Sequence, residues 1–213
     1  MKIALIGATG FVGSKVLAEA LQRGHQVTAL VRSTAKLPAQ AGVTPVEVDL
    51  GDAAALAHAI EGHDAVVSAF NAPRGNPEFK TLYLQGVRAV VDGVKRSGVK
   101  RLLLVGGAGS LYVAPGVQLV DTPQFPAEYR TEAQAARDAL ALIRAEAALD
   151  WSFVSPAPLL APGQRTGRFR LGGDEVLMNG AQPGNISVED LAVAIVDELE
   201  TPRHLRQRFT LAY

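Results

Sequence analysis

The feature that most constrains this chain lies in its first 22 residues. The apolar run Lys2–Ile6 reads as a strand, Gly7-Ala8-Thr9-Gly10-Phe11-Val12-Gly13 follows it directly, and a helical pattern covers Phe11–Gln22. A strand, a glycine-punctuated turn and a helix in that order open a phosphate-binding βαβ unit. Each glycine has its own reason. Without a Cβ, Gly7 permits the tight turn, Gly10 lets the backbone approach a pyrophosphate, and Gly13 lets helix and strand pack closely. Free amides at the helix start, aided by its dipole, then face the phosphates. Thr9, Phe11 and Val12 complete the candidate loop. The spacing is G-x-x-G-x-x-G, one residue longer between its first two glycines than the G-x-G-x-x-G of many dehydrogenases.

Short apolar runs and helical patterns alternate through the rest of the chain. Strands are expected at Lys2–Ile6, Gln26–Val31, Thr44–Val48, Ala65–Ala69, Arg101–Val105, Trp151–Val154 and Arg208–Leu211. Helices are expected at Phe11–Gln22, Ala53–Ile60, Pro77–Arg96, Glu132–Ala148 and Val188–Glu200, the last with Ser187 as its cap and Pro202 beyond its end. This is the pattern of one α/β domain over residues 1–213: a Rossmann-type, doubly wound, mainly parallel sheet with helices on both faces. Two segments interrupt the alternation, 106–130 and 156–184. In the second, Arg168–Leu171 and Glu175–Leu177 flank Gly172-Gly173-Asp174 and suggest a hairpin in a small substrate-side insertion. Both segments leave the carboxyl ends of strands, where open α/β sheets bind ligands.

Composition narrows the partners. Lys and Arg together number 21, as do Asp and Glu, so neither nucleic acid nor an anionic membrane is expected as a partner. The absence of cysteine excludes disulfides, thiolate chemistry and Cys-based metal sites. The four histidines, His25, His58, His63 and His204, lack metal-ligand spacing, so no metal site is expected. No apolar run reaches the ~18 residues of a membrane span. The strand begins at residue 2 with no leader-like stretch before it, which suggests a cytoplasmic protein. Oligomeric state is left open by the sequence.

The choice of dinucleotide turns on the end of the second strand, where an NAD site would place an acidic residue. Arg32-Ser33 stands there instead. Arg32 offers a planar cation for a 2′-phosphate and Ser33 a hydrogen bond, so NADP(H) is preferred, with NAD(H) possible. Arg32 can equally be a solvated charge or stack on adenine. Asp49-Leu50, after the third strand, is a candidate for the adenine side or a plain turn. Ala69, Phe70 and Asn71 end the fourth strand beside the expected nicotinamide ribose, or simply pack there. Gly106 and Gly107, after the fifth strand, complete the cofactor-side candidates read from position.

These blocks resemble the NmrA-like, NAD(P)H-binding group of atypical short-chain dehydrogenases, and more narrowly bacterial proteins provisionally classed as NADH-flavin reductases. The resemblance rests on Ile6-Gly7-Ala8-Thr9-Gly10, Val105-Gly106-Gly107-Ala108-Gly109-Ser110-Leu111, Trp151-Ser152-Phe153-Val154-Ser155-Pro156, Pro162-Gly163-Gln164-Arg165-Thr166-Gly167, Ile186-Ser187-Val188-Glu189-Asp190 and Arg208-Phe209-Thr210. It implies an NAD(P)H-dependent oxidoreductase with a flavin as passing substrate, and it places the Ser155-Pro156 backbone beside the nicotinamide carboxamide. Some NmrA-like relatives imply an alternative, a non-catalytic NADP(H)-binding redox sensor.

The usual short-chain dehydrogenase relay, Tyr-x-x-x-Lys, is missing. Ala133 stands four residues after Tyr129, Val87 after Tyr83 and Gly116 after Tyr112. Ketone reduction needs a proton donor at the developing alkoxide. Reduction of a planar acceptor, a flavin or a quinone, needs chiefly two rings held in contact. Ser110 and Tyr129 are the catalytic candidates, Ser110 as a hydrogen-bond donor near the nicotinamide or merely a loop cap. Tyr112, Phe125 and Tyr129 can wall a planar acceptor or pack a loop. Arg165 and Arg168 can meet an anionic group such as a flavin phosphate, or remain solvated.

Overall fold

In a computed structural model the structure describes residues 1–37 and 40–213. Eight strands form the central sheet: β1 (Lys2–Ile6), β2 (Gln26–Val31), β3 (Val43–Glu47), β4 (Ala65–Ser68), β5 (Arg101–Val105), β6 (Asp150–Pro156), β7 (Arg170–Gly172) and β8 (Gln207–Ala212). Their order is β7-β8-β6-β5-β4-β1-β2-β3, and every pairing is parallel except β7 with β8. The run 3-2-1-4-5-6 within it is the doubly wound Rossmann order. Helices α1 (Gly13–Gln22), α2 (Ala53–Ile60), α3 (Phe79–Ser97), α4 (Arg130–Arg144) and α5 (Val188–Glu200) cover its faces.

Strand periodicity divides the core in two. Ile3 and Leu5 of β1 pack with α1 and α5, whereas Ala4 and Ile6 pack with α2, α3 and α4. Side chains alternate across a pleated strand, so a strand clad on both faces reads as one continuous apolar run.

Most expected elements hold to within two residues, and three differences have physical causes. The strand expected at Trp151–Val154 extends to Asp150–Pro156, because both of its neighbours are parallel partners. The helix expected to reach Ala148 ends at Arg144. Beyond it the Glu146 carboxylate accepts the Ala148 N–H and the Glu146 carbonyl accepts the Trp151 indole N–H, turning the chain into β6. The expected hairpin around Gly172–Asp174 does not form. Arg170–Gly172 instead joins β8 as an antiparallel edge, and the short ribbon pairs Met178–Asn179 with Gln182–Pro183.

The insertion is strapped to the helical face. Gly163 N–H donates to Glu189, Ser187 Oγ to the Gln164 carbonyl, and the Arg165 guanidinium grips both oxygens of Glu19 on α1 at 2.7 and 2.8 Å. Asp190, fully buried, accepts from Thr166 N, Gly167 N, Thr166 Oγ1 and Tyr213 Oη. The hydrogen bond from Arg165 holds Glu19 below the ordinary carboxylate range against its burial. Burial pushes Asp190 upward, but the bonds from Thr166, Gly167 and Tyr213 outweigh it and leave it lowered. A carboxylate with a depressed folded pKa contributes stability above its unfolded value and loses it as pH falls through the folded one. The urea midpoint is therefore expected to stay flat from neutral pH to about 5 and to fall below about 4, where unfolded Asp and Glu titrate. A midpoint that holds steady below that point contradicts the assignment.

Candidate functional site

The glycine turn is built as its spacing requires. Gly7 sits at φ +81°, and a Cβ there would lie 2.6 Å from the Ala69 carbonyl oxygen, so the ends of β1 and β4 touch. Gly10 N–H donates to Gly7 O at 2.9 Å, and a Cβ on Gly13 would fall 2.0 Å from that same oxygen. No side chain caps α1. The amides of Phe11 and Val12 take no backbone partner among the described residues. An anion bound there would receive N–H groups already aimed and a favourable dipole, so these residues fit the pyrophosphate of a dinucleotide. The turn lies where helices on either side of β1 run to opposite faces of the sheet, the switch point at which such folds bind ligands.

The other candidates leave the same carboxyl edge. Arg32 and Ser33 follow β2 and are exposed; Arg32 makes no ion pair among the described residues, and Ser33 Oγ accepts from Ala35 N at 3.4 Å. Asp49 follows β3, with its carboxylate accepting from Gly51 N in a local turn and Leu50 half-buried beside it. Ala69, Phe70 and Asn71 follow β4. The Phe70 ring stacks on Tyr83 at 6.1 Å and lies over Gly86, so it packs rather than facing open space on that side. Gly106 and Gly107 follow β5. A Cβ on Gly106 would lie 2.0 Å from the Phe153 ring, and Gly106 N–H donates to the Val154 carbonyl. Ser155 and Pro156 end β6, both buried.

Ser110 is 1% exposed, and its hydroxyl oxygen accepts from Arg208 Nη1 at 3.3 Å, so it is held from the β8 side of the loop after β5. Arg165 is committed to Glu19 through Nε and Nη2, as above. Arg168 stays exposed. Phe125 receives the Arg130 guanidinium over its ring at 5.8 Å, and Tyr112 is fixed through its backbone to residues 174 and 176. Tyr129, at the start of α4, is 52% exposed. With Phe11 (50%) and Leu159 (60%) it leaves three large apolar side chains bare on segments at the carboxyl edge.

Ala133, four residues after Tyr129, is half-buried against the loop after β5. A Cβ on Gly109 would sit 2.6 Å from the Ala133 methyl, so α4 and the loop after β5 are in direct contact there.

The sequence reading missed Arg208, which is 5% exposed and bonded to Ser110, Ser155 and Asp174. The signal was present: an arginine opening a strand run with Phe209 and Leu211, destined for burial. Two cavities, of about 290 and 310 Å³, lie away from this edge, one between β7 and the C-terminal half of α5, the other at the amino ends of β1, β2 and β3. Neither touches the glycine turn. Among the described residues no helix is long and apolar enough to cross a membrane, and no group of three or more His, Asp or Glu side chains is placed to hold a metal.

Comparison with known proteins agrees with this geometry. Residues 7–202 match the family described as NAD(P)H-binding. A Burkholderia pseudomallei crystal structure is 47% identical with a TM-score of 0.89, covering 100% of both chains. One from Bacteroides thetaiotaomicron is 42% identical with a TM-score of 0.92, covering 100% of this chain and 96% of its own. One from Streptococcus pneumoniae is 37% identical with a TM-score of 0.88, covering 100% of this chain and 99% of its own. Their provisional names diverge: an exported protein, an epimerase and a NADH-flavin reductase. What they share is the whole fold around the glycine turn. The chain belongs to the NAD(P)H-binding family, within the atypical short-chain dehydrogenases.

Proposed function

We propose that this protein is an NAD(P)H-dependent reductase whose acceptor is a free flavin or a similar planar molecule such as a quinone, with NADP(H) as the preferred coenzyme. The observation that carries the reading is the presence of a free-amide glycine turn, exposed apolar side chains and no relay lysine on segments at one sheet edge. Phe11, Tyr129 and Leu159 offer exposed apolar surface, and Ala133 stands where a proton-relay lysine would be. When bound, the reduced nicotinamide supplies a hydride. The chain's part is to bind and orient. The turn from Gly7 to Gly13, with Thr9, holds the pyrophosphate through backbone N–H groups. Arg32 and Ser33 meet the 2′-phosphate, Asp49 and Leu50 border the adenine, and Ala69, Phe70 and Asn71 flank the nicotinamide ribose. Gly106, Gly107, Ser155 and Pro156 back the nicotinamide. Tyr129 lines the acceptor side, and Ser110 supports the loop after β5 from below. A planar acceptor that delocalises the incoming charge needs no buried acid from the protein.

Stopped-flow mixing with NADPH and FMN, FAD or a quinone tests this. Coenzyme oxidation well above the uncatalysed rate is expected with at least one of them, and a rate equal to background with all of them ends the proposal. The burial of Ser110 favours one competitor, a coenzyme-sensing module without turnover. That reading expects distinct affinities for NADPH and NADP+ and no acceptor chemistry.

Arg32 gives a sharper test of coenzyme choice. Charge-assisted hydrogen bonds contribute about 1.5–3 kcal/mol each, so Arg32→Ala is expected to weaken NADPH binding about 10- to 100-fold. NADH binding should change little. Equal losses for both coenzymes in a fluorescence titration would remove the 2′-phosphate role.

A further inference from the structure

Arg208 joins three segments that are distant in sequence, and the inference from it rests on the reductase reading above. It stands on β8 beside Phe153 of β6. Its Nε donates to Asp174 Oδ1 at 2.6 Å, and its Nη2 to the Asp174 carbonyl at 3.1 Å. Its Nη1 donates to Ser110 Oγ at 3.3 Å and to Ser155 Oγ at 3.4 Å. Asp174 belongs to the insertion, Ser110 to the loop after β5, and Ser155 to the end of β6. Backbone bonds reinforce the junction: Tyr112 N–H donates to the Asp174 carbonyl at 2.8 Å and Val176 N–H to the Tyr112 carbonyl at 2.9 Å. Arg144 of α4 also pairs with Asp174, at 2.8 Å.

This is an expensive way to fill space. The Arg208 side chain is 1% exposed, while its anionic partner Asp174 is 52% exposed and shared with Arg144. Desolvating a guanidinium costs several kcal/mol, and an apolar side chain of similar volume often serves stability as well or better. What an apolar side chain cannot do is fix three segments by directed bonds. The planar fork with five donors is suited to that task. The segments it fixes are those assigned above to the nicotinamide and acceptor side. None of its partners belongs to the glycine turn or to the end of β2.

We propose that Arg208 is a positioning residue. Through Ser110 and Ser155 it sets the nicotinamide seat, and through Asp174 it ties that seat to the insertion that borders the acceptor. Coenzyme affinity, held mainly by the phosphate turn and the adenosine side, is separate from it.

The test uses the full chain with Arg208→Gln, Arg208→Lys and the double variant Ser110→Ala/Ser155→Ala. Three readouts are needed: NADPH affinity by titration, the emission enhancement of the bound reduced nicotinamide, and kcat and KM for the best acceptor. Emission enhancement reports how rigidly the nicotinamide is held and needs no turnover. For Arg208→Gln we expect NADPH affinity close to the parent's, loss of most of the emission enhancement, and a kcat lowered about 10-fold or more, as misplacement of reacting groups produces. KM should move much less, and Arg208→Lys should restore part of the kcat. The double variant keeps the Arg208–Asp174 pair and should reproduce the emission loss, so it decides the matter if Arg208→Gln does not fold.

Parental emission enhancement in the folded Arg208→Gln protein overturns the proposal. So does parental enhancement in the double variant, or a fall in NADPH affinity that parallels the emission loss, which would mark general loosening. If the parent shows no turnover with any acceptor, the reductase reading fails, and the emission and affinity measurements still judge Arg208.

Discussion

Gly13→Ala is expected to lose stability and tight NADPH binding together. The new methyl would lie 2.0 Å from the Gly7 oxygen and 2.7 Å from the Gly7 carbonyl carbon, both backbone atoms that no rotamer change can move. Relief requires the start of α1 to shift off the end of β1 by more than an ångström. Overpacking of this kind costs about 3 kcal/mol or more, and for a domain of this size each kcal/mol lowers Tm by roughly 2–4 °C. The same shift turns the free amides away from a bound pyrophosphate, so an affinity loss beyond about 10-fold should accompany the fall in Tm. Gly10→Ala is the useful contrast. Its methyl would meet the Gly7 oxygen at 3.2 Å, a tight but tolerable contact, while standing in the turn proposed to hold the pyrophosphate. It should keep most of its Tm and still bind NADPH poorly. A Gly13→Ala protein that melts with the parent would show that the turn is not built as described.

The second large effect lies far from the coenzyme. Glu198, 4% exposed, accepts from Arg101 Nη2 at 3.2 Å, Ser152 Oγ at 3.2 Å, His204 Nδ1 at 2.8 Å and the Arg203 and His204 amides. Arg101 is itself buried, and its Nε already lacks a partner among the described residues. Burial lowers the hold of Arg101 on its proton, and the charge of Glu198 opposes that loss. Glu198→Ala would strand this cation and several donors at once. Breaking a buried pair by removing one partner costs about 3–5 kcal/mol. Urea unfolding should show a loss of that size, with NADPH affinity of the folded protein unchanged, because the network sits at the amino ends of β5 and β6. A stability change below about 1 kcal/mol, the value of an exposed pair, would refute the buried network.

The architecture was legible because it depends on pattern. Continuous apolar runs marked strands clad on both faces, and Lys2–Ile6, Gln26–Val31 and Arg101–Val105 fall at the bounds that their composition implies. The site was legible where it depends on backbone. Gly7, Gly10 and Gly13 announce their steric role by having no side chain, and sequence position alone put the ends of β2 to β6 at one edge. What stayed hidden is polar and long-range. Nothing local ties Arg165 to Glu19 or Arg208 to Asp174, pairs separated by 146 and 34 residues. An arginine in a loop reads as solvated whether or not a carboxylate waits across the fold. Ser110 was ambiguous for the same reason, since a serine after a strand reads alike whether its hydroxyl faces ligand or protein. The hairpin expected at Gly172-Gly173-Asp174 failed because an open edge at β8 competed for Arg170–Gly172 and won.

The contact between Gly109 and Ala133 bears on how this protein can change over generations. Any residue other than glycine at 109 would bring its Cβ within 2.6 Å of the Ala133 methyl, so the two positions are coupled. A side chain can enter at 109 only after helix α4 withdraws from the loop, and an intermediate along that route loses packing. The close seat of α4 thus works as a ratchet that holds this loop to glycine.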